Sequence, residues 1–456
     1  MKINSLDNVE VDIATGHKSA LCDISKGEKV IKYGFPIGVA TCDIKKGDKV
    51  HTDNLKTGLS GVLEYTYNPN LFELEKFDKI PTFMGYKRED GSVGIRNEIW
   101  IVNTVGCVNK TAKIIADRTG TFHFEHPYGC SQLGDDHKVT QKILKGLIKH
   151  PNAAGVLVVG LGCENNNIDL FKKTLGEINE KRVKFLNCQS VSNEIEEGIK
   201  LVNELKEYAS TFKREEIPVT ELKIGLKCGG SDGLSGITAN PLVGEVSDIL
   251  ISMGGTSVLT EVPEMFGAET ILFDRCETKE VFDKAVSMIN NFKEYYISYN
   301  QPVYENPSPG NKAGGITTLE EKSLGCVQKG GRATVVDVLE LGDTLKKKGL
   351  NLLTGPGNDI VACTNLTAAG AHIILFTTGR GTPLGAPVPT VKISTNTKLY
   401  NNKPHWIDFN AEDKLNDENL KYKLFDYILE VANGKETNNE KNGYREIAIF
   451  KNGVTL

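Results

Sequence analysis

The sequence lacks the patterns that mark membrane and secreted proteins. Its 456 residues contain no apolar run close to the roughly 20 residues that a membrane-spanning helix needs. The N-terminal segment has no apolar core of the kind that a secretion signal carries. These absences predict a cytoplasmic protein with no membrane partner.

Motifs for nucleotide binding and for the common hydrolases are also missing. There is no P-loop, no well-placed dinucleotide fingerprint, no Gly-x-Ser-x-Gly elbow and no His-Glu-x-x-His pair. The formal net charge of −5 argues against the basic surface that nucleic-acid binding requires. A small-molecule partner is therefore favoured over a nucleic acid.

Metal-binding residues are present, but without a diagnostic spacing. Only eight histidines occur, and none of the ten cysteines forms a Cys-x-x-Cys pair. In a reducing compartment these cysteines are free thiols that pack, bind metal or act as nucleophiles. A disulfide framework is excluded on the same ground.

The N-terminal region contains an internal repeat. The segment Ala20–Val30 returns 20 positions later as Ala40–Val50, and each copy holds a Lys-Gly pair between apolar residues. We expect each copy to form a hairpin, so that about 60 residues make a small all-β module. This module needs to dock on something larger, because a few short strands are barely stable alone.

The rest of the chain alternates apolar, β-branched runs with helical periodicity. This alternation predicts an α/β body with mostly parallel sheets. Strands are expected at Ile99–Val105, Gly155–Gly160, Lys223–Leu226, Ser257–Leu259, Thr270–Phe273, Asn351–Leu353 and His372–Phe376. Helices are expected at Asp136–Lys149, Ser192–Ser210 and Lys279–Ser298. The domain boundaries that follow are 1–60 for the β module, 61–82 for a linker, 83–218 for one α/β domain and 219–456 for another.

Four of the apolar runs end in polar, Gly-rich loops. Cys107, Cys163 and Cys228 follow three of them, and Thr377–Pro383 follows the fourth. Ligands of parallel sheets bind at the carboxyl ends of the strands, so these four loops are predicted to meet in one pocket.

Each candidate has a plainer alternative. A single buried cysteine usually only packs, and Asp232 can simply hold a turn. Arg380 can cradle a carboxylate through paired hydrogen bonds, or it can be a surface arginine in a Gly-Pro turn. The segment 306–315 can be a lid over a site or a connector.

Longer motifs show a resemblance to a known family. The chain resembles the altronate and galactarate dehydratase family along nearly its whole length, and its N-terminal repeat is similar to the SAF (β-clip) domain of that family. The residues that carry the resemblance are Gly16–Lys18, Ile31–Gly38, Gly85–Arg88, Asp90–Asn97, Asn103–Asn109, His126–His137, Gly160–Asn166, Cys228–Pro241 and Thr377–Pro383.

The resemblance implies a metal-dependent dehydration of a small sugar acid. Fe²⁺ is the expected metal, with Mn²⁺ as the second choice. Ser131–Asp136 and Glu305–Lys312 favour the altronate branch, in which D-altronate becomes 2-dehydro-3-deoxy-D-gluconate during hexuronate breakdown. Alternatives are a lyase for galactarate or a sulfonated hydroxy acid, and, more remotely, a sugar-acid-binding protein without catalysis. A homo-oligomer is expected by default.

Roles for individual residues are hypotheses at this point. His17, His126 and Glu164 are the candidates for proton transfer, with His17 brought from the β module to the sheet edge. A metal held by some of Cys130, Cys163 and Cys228, or by His126 with Glu164, would stabilise the charge that develops on the substrate carboxylate. The candidates for binding the substrate are Lys18, Arg96, Asn240, Thr378 and Arg380.

Overall fold

The computed structural model describes residues 1–59 and 61–455. Residues 1–59 form an all-β module, called the N-terminal module below. Its strands are β1 (Val9–Val11), β2 (Lys18–Ala20), β3 (Lys29–Lys32), β4 (Phe35–Ala40), β5 (Lys49–Val50) and β6 (Leu55–Lys56). They make two antiparallel three-stranded sheets with the orders β1-β2-β5 and β3-β4-β6. The predicted all-β character of this region is confirmed.

The predicted hairpin within each repeat copy is wrong. Strands β2 and β3 flank the first Lys-Gly turn but lie in different sheets. Each turn instead closes on the other copy, since Gly27 N donates to Ala40 O at 2.9 Å and Gly47 N donates to Ala20 O at 2.8 Å. The exchange lets the two copies bury apolar residues against each other, which a separate hairpin could not do.

A four-stranded parallel sheet follows the module. Its strands are β9 (Glu98–Asn103), β10 (Phe122–Phe124), β11 (Ala153–Gly160) and β12 (Val183–Asn187), in the order β10-β9-β11-β12. Its helices are α1 (Asn109–Thr119), α2 (Gly134–Lys149), α3 (Ile168–Leu175) and α4 (Glu194–Ser210). A small antiparallel sheet beside it contains β7 (Thr82–Lys87), β8 (Val93–Gly94) and β13 (Glu215–Pro218). Every residue of β11 is buried, as its continuous apolar sequence predicts.

The largest sheet has seven parallel strands. They are β14 (Lys223–Cys228), β15 (Thr256–Leu259), β16 (Val335–Leu339), β17 (Gly349–Leu353), β18 (Ile373–Thr378), β19 (Thr390–Ser394) and β20 (Phe409–Asn410), in the order β16-β17-β15-β14-β18-β19-β20. The helices of this part are α5 (Ala239–Ser252), α6 (Glu269–Phe273), α7 (Lys279–Ser298), α8 (Pro309–Ala313), α9 (Leu319–Cys326), α10 (Asp359–Ala368), α11 (Thr397–Asn402), α12 (Leu420–Ala432) and α13 (Asn438–Lys441). The predicted fold class, a β module followed by an α/β body with parallel sheets, is confirmed.

One predicted strand is a helix. The run Thr270–Phe273 lies in α6, where Leu272 and Phe273 are buried in the core. Short apolar runs do not distinguish a strand from a buried helical turn, which is the reason for the error.

The two parallel sheets share a core through the helices between them. Helices α2 and α10 pack so closely that a Cβ on Gly146 would meet Ala368 O at 2.3 Å. The prediction that four strand ends meet in one pocket is therefore wrong, because β9 and β11 end at one sheet edge and β14 and β18 at another. No helix in the described residues is long and apolar enough to cross a membrane.

Candidate active site and its buried ionic cluster

A cavity of about 720 Å³ opens at the carboxyl edge of the seven-stranded sheet; we call it the main cavity. The loops after β14, β15 and β17 line it, as expected for the ligand site of a parallel sheet. The opposite wall is the segment 306–311, which contributes side chains with amide and hydroxyl groups. The polar lining includes Glu264, Asn306, Ser308, Asn311, Lys322, Asn358, Asp359 and Glu446.

Beneath the main cavity lies a group of buried ionisable side chains. This buried cluster consists of Lys227, Cys228, Glu261, Glu264, Lys322, Cys326 and Lys329, and each of its members is at most 8% exposed. The two thiols lie 3.5 Å apart, Sγ to Sγ. Glu264 Oε2 lies 3.0 Å from Cys228 Sγ, and Lys329 Nζ donates to the same sulfur at 2.9 Å. Glu264 also lines the main cavity, so it connects the cluster to the space where a ligand can bind.

Opposite charges hold the buried cluster together. Lys322 Nζ lies 2.8 Å from Glu264 Oε1, and Lys227 Nζ lies 2.5 Å from Glu261 Oε1. Burial raises the pKa of Glu264, but the ammonium groups of Lys322 and Lys329 outweigh burial and lower it overall. The hydrogen bond from Cys326 and the Lys329 ammonium lower the pKa of Cys228 to about 7. The buried cluster thus holds the Glu264 carboxylate next to Cys228, a thiol whose pKa is lowered.

The donor set of this cluster fits a divalent metal ion. Among the described residues, the group of metal-binding side chains with ligand atoms within 4.8 Å of one another is Cys228, Glu264 and Cys326. Two thiolates and one carboxylate suit Fe²⁺, whereas Mn²⁺ prefers oxygen ligands. In this structure the Lys322 ammonium contacts Glu264, and the Lys329 ammonium contacts Cys228. These ammonium groups balance the charge of the donor atoms, so a bound metal ion would take over that role from them.

The N-terminal module docks beside the buried cluster through another buried ionic group. Glu321 accepts hydrogen bonds from Lys18 Nζ and Lys32 Nζ, both at 2.8 Å, and all three side chains are at most 1% exposed. The Lys18 ammonium also donates to Gly315 O. Lys18 thus helps to dock the module, and its predicted contact with substrate stays a prediction.

Two histidines of the module face each other at this junction. The rings of His17 and His51 lie edge to face, with their centroids 5.3 Å apart. Partial burial lowers the pKa of both rings, so both favour the neutral form. Neither Nδ1 atom has a hydrogen-bond partner among the described residues. A neutral imidazole with a free nitrogen can accept a proton.

Arg380 lies at a second opening, between the module and the body. This cleft of about 610 Å³ is lined by Thr15, Asp232, Gly314 and Arg380, among others. Arg380 is exposed and donates to Gly310 O at 3.4 Å. Residues of the segment 306–315 line both openings, with Asn306, Ser308 and Asn311 at the main cavity and Ala313 and Gly314 at this cleft. The segment 306–315 is therefore a wall shared by the two openings.

His126 and Glu164 hold loops together. His126 Nε2 donates to Asn103 O at 2.9 Å, and its Nδ1 accepts from Tyr128 N at 3.2 Å, so both ring nitrogens are occupied. Glu164 accepts from Thr104 Oγ1 at 2.6 Å and from the backbone N–H groups of its own loop. Breaking either network would leave buried groups unpaired, so both residues have a structural role. Their predicted roles in metal binding and proton transfer stay predictions.

Three further candidates for substrate binding make contacts within the protein, and their binding of substrate stays a prediction. Arg96 lies before β9, away from the carboxyl edge, and its guanidinium binds Glu440 at 2.8 Å. Asn240 donates to Gly325 O and accepts from Thr377 Oγ1. Thr378 Oγ1 accepts from Gly381 N at 2.8 Å and so shapes the Arg380 loop.

The predicted metal set of Cys130, Cys163 and Cys228 is divided between the two sheets. Cys228 is buried under the main cavity, while Cys130 and Cys163 are exposed at the edge of the four-stranded sheet. No single ion can bind all three. Of the three, Cys228 lies in the group with Glu264 and Cys326, and metal binding by this residue stays a prediction.

Comparison with known proteins adds to this geometry. Three family profiles match the chain: the altronate/galactarate dehydratase SAF domain at residues 2–58, the second domain of D-galactarate dehydratase/altronate hydrolase at 85–210, and the C-terminal part of D-galactarate/altronate dehydratase at 219–455. The chain belongs to the altronate and galactarate dehydratase family.

Individual relatives cover nearly the full length. The chain is 56% identical to altronate dehydratase of Bacillus subtilis strain 168, over 98% of this chain and 93% of the relative. It is 54% identical to altronate dehydratase of Escherichia coli K12, over 99% and 95% respectively. Galactarate dehydratase (L-threo-forming) of the same strain is 32% identical, over 96% and 90%. The family resemblance of the sequence motifs is confirmed.

Most of the buried cluster was missed by sequence reasoning. Glu261 and Glu264 directly follow the predicted strand Ser257–Leu259, so the strand-end rule could have found them. Cys326, Lys322 and Lys329 carried no such signal. They lie in or just after α9, whose residues are all buried, so that it shows little amphipathic pattern.

Proposed function

We propose that this chain is a hydro-lyase that converts D-altronate to 2-dehydro-3-deoxy-D-gluconate. The reaction removes the proton on C2 and the hydroxyl group on C3. The observation that carries the proposal is identity above 50% to two altronate dehydratases over nearly the whole chain, against 32% to a galactarate dehydratase. The expected place in hexuronate breakdown and in the cytoplasm follows from this assignment.

The main cavity suits a polyhydroxylated acid. Asn306, Ser308, Asn311 and Asn358 supply amide and hydroxyl groups that can bind sugar hydroxyls. The Lys322 ammonium can balance the charge of a substrate carboxylate. We therefore place the reaction in the main cavity.

A divalent metal held by Cys228, Glu264 and Cys326 supports the chemistry. When bound, it supplies Lewis-acid stabilisation of the negative charge that builds up on the substrate carboxylate. We propose Fe²⁺ as the native ion, because thiolates form most of the donor set. His17 and Arg380 are not among the described residues that line the main cavity. They stay proposed for proton transfer and substrate binding because both contact the segment 306–315, which also lines that cavity.

A substrate panel tests the assignment. Purified protein is incubated without oxygen, with Fe²⁺, Mn²⁺ or no metal, and with altronate, galactarate or sulfolactate. Metal-dependent formation of the 2-keto-3-deoxy acid from altronate is the expected result. Product from galactarate alone, or loss of sulfite from sulfolactate alone, would overturn the substrate. Binding of altronate without any product would favour a sugar-acid-binding protein.

A further inference from the structure

All four carboxyl-end loops of the four-stranded sheet contain a cysteine. In the spatial order β10, β9, β11 and β12, these are Cys130, Cys107, Cys163 and Cys188. The first three are exposed, whereas Cys188 packs against the hydrophobic core behind the edge. Burial raises the pKa of the Cys188 thiol to about 11. Three adjacent loops thus present thiols to the outside, and the fourth does not.

The three thiol-bearing loops are bonded to one another next to their cysteines. Gly106 N donates to Tyr128 O and Asn166 N donates to Gly129 O, both at 2.9 Å. Ser131 N donates to Asn165 Oδ1, also at 2.9 Å. Each of the three cysteines therefore lies within three residues of a hydrogen bond that joins its loop to one of the other two loops. These bonds hold the three loops in fixed positions at the carboxyl edge of the sheet.

Glycines make this close approach possible. A Cβ on Gly129 would meet Thr104 O at 1.9 Å, and a Cβ on Gly106 would meet His126 O at 2.8 Å. Gly129 also has a φ of 99°, which other residues rarely adopt. The loops after β9 and β10 thus approach each other as closely as two backbones can. A cysteine, Cys107 or Cys130, directly follows each of the two glycines.

We propose that Cys107, Cys130 and Cys163 hold an iron–sulfur cluster at this edge. Cysteine is among the most buried residue types, so three exposed thiols on adjacent loops call for a ligand. A single ion does not fit, because these sulfurs are not among the described groups whose ligand atoms lie within 4.8 Å. In a cluster each cysteine binds a different iron, so the sulfurs are farther apart.

The surrounding structure suits an anionic cluster. The three loops lead into the N-termini of α1, α2 and α3, and the partial positive charge there stabilises an anion. With three cysteines, one iron of a [4Fe–4S] cluster has no protein thiolate and can take an oxygen ligand from a small molecule. This site lies apart from the buried cluster, and the inference does not depend on the proposed substrate.

The test uses the full chain and needs no substrate. The protein is reconstituted without oxygen from ferric iron, sulfide and excess thiol, and its iron, acid-labile sulfide and visible absorption are then measured. About four acid-labile sulfides and about five irons per chain are expected, four irons in the cluster and one at the proposed site of Cys228, Glu264 and Cys326. Cys107→Ser, Cys130→Ser and Cys163→Ser should each lose the bound sulfide, while Cys188→Ser and Cys42→Ser should keep it.

A second measurement uses folded wild-type protein, so that its result does not depend on whether the serine variants fold. The cluster should shield the three thiols from alkylation in folded wild-type protein, and its removal should expose them, as read by mass spectrometry of the labelled peptides. Wild-type protein that binds iron without labile sulfide would overturn the proposal. So would retention of sulfide by the three serine variants, or loss of sulfide only in Cys228→Ser.

Discussion

The thiol sulfurs of Cys228 and Cys326 lie 3.5 Å apart, although 98 positions separate the two residues in the sequence. Glu264 contacts this pair and also lines the main cavity. The two cysteines thus bring a strand end and a buried helix to one point, and the proposed metal site depends on that contact.

Loss of one thiol should weaken metal binding. In Cys326→Ser, the affinity for Fe²⁺ should fall at least about tenfold, because a thiolate ligand is replaced by a hydroxyl that stays protonated. An anaerobic titration against a competing chelator measures the change. Cys363→Ser is the matched control, since Cys363 is also buried but lies in α10 outside the cluster. Equal affinities in all three proteins would contradict the assigned ligands.

The docking of the N-terminal module should depend on Glu321. In Glu321→Gln, the Lys18 and Lys32 ammonium groups lose their carboxylate, so we expect a loss of about 3–5 kcal/mol in the free energy of unfolding. Urea denaturation gives this value. Glu320→Gln is the control, because that carboxylate binds Thr57 and Gly58 and contacts no ammonium group within the part of the chain that the structure describes. A larger effect at Glu320 would show that the lysines do not anchor the module.

Stability should fall at acid pH because of buried neutral histidines. Burial lowers the pKa of His150 to about 3, and lowers that of His372 in the same direction. In the unfolded chain these histidines have a pKa of about 6.5, so below that pH they bind protons that the folded chain excludes. Their contribution to the free energy of unfolding is therefore fully present above about pH 6.5 and is lost as the pH falls toward 3. Each histidine contributes a slope of up to about 1.4 kcal/mol per pH unit.

Urea unfolding between about pH 7 and pH 5 measures this slope. His150→Gln should be less stable at neutral pH, yet should lose less further stability on acidification. His405→Gln, at an exposed position, should keep the wild-type slope. An unchanged slope in His150→Gln would rule out its titration as the cause.

The proposed proton transfer by His17 can be tested by substitution. His17→Ala should lower kcat for altronate by a factor of about 10²–10⁴ if the ring transfers a proton. Steady-state kinetics with a circular dichroism spectrum of each protein checks this, with His405→Ala as the control. Near-normal turnover in a folded His17→Ala protein would remove His17 from the mechanism.

Regular elements could be predicted where the sequence has a clear period. The helix Lys279–Ser298 is found with its predicted bounds, and the apolar run at 155–160 is the C-terminal part of β11. The repeat predicted β structure but not its pairing, because strand partners depend on contacts between the copies. Thr270–Phe273 was ambiguous, since a run of four apolar residues fits either state.

The site was harder to predict than the fold. Long family motifs contain both ligand-binding and packing residues, and Lys18, Arg96 and Asn240 all make contacts within the protein. Pairing of Cys228 with Cys326 is a long-range contact that no local pattern encodes. The strand-end rule pointed to the loops that line the main cavity, but it had to be applied to each sheet separately.

The most direct test of the central claim is the rate of altronate dehydration by Glu264→Gln. The claim is that the reaction takes place in the main cavity, next to a metal held by the buried cluster. With saturating altronate and Fe²⁺ and without oxygen, a variant that circular dichroism shows to be folded should be slower than wild type by at least about 10²-fold. A folded Glu264→Gln protein with nearly the wild-type rate would contradict the account.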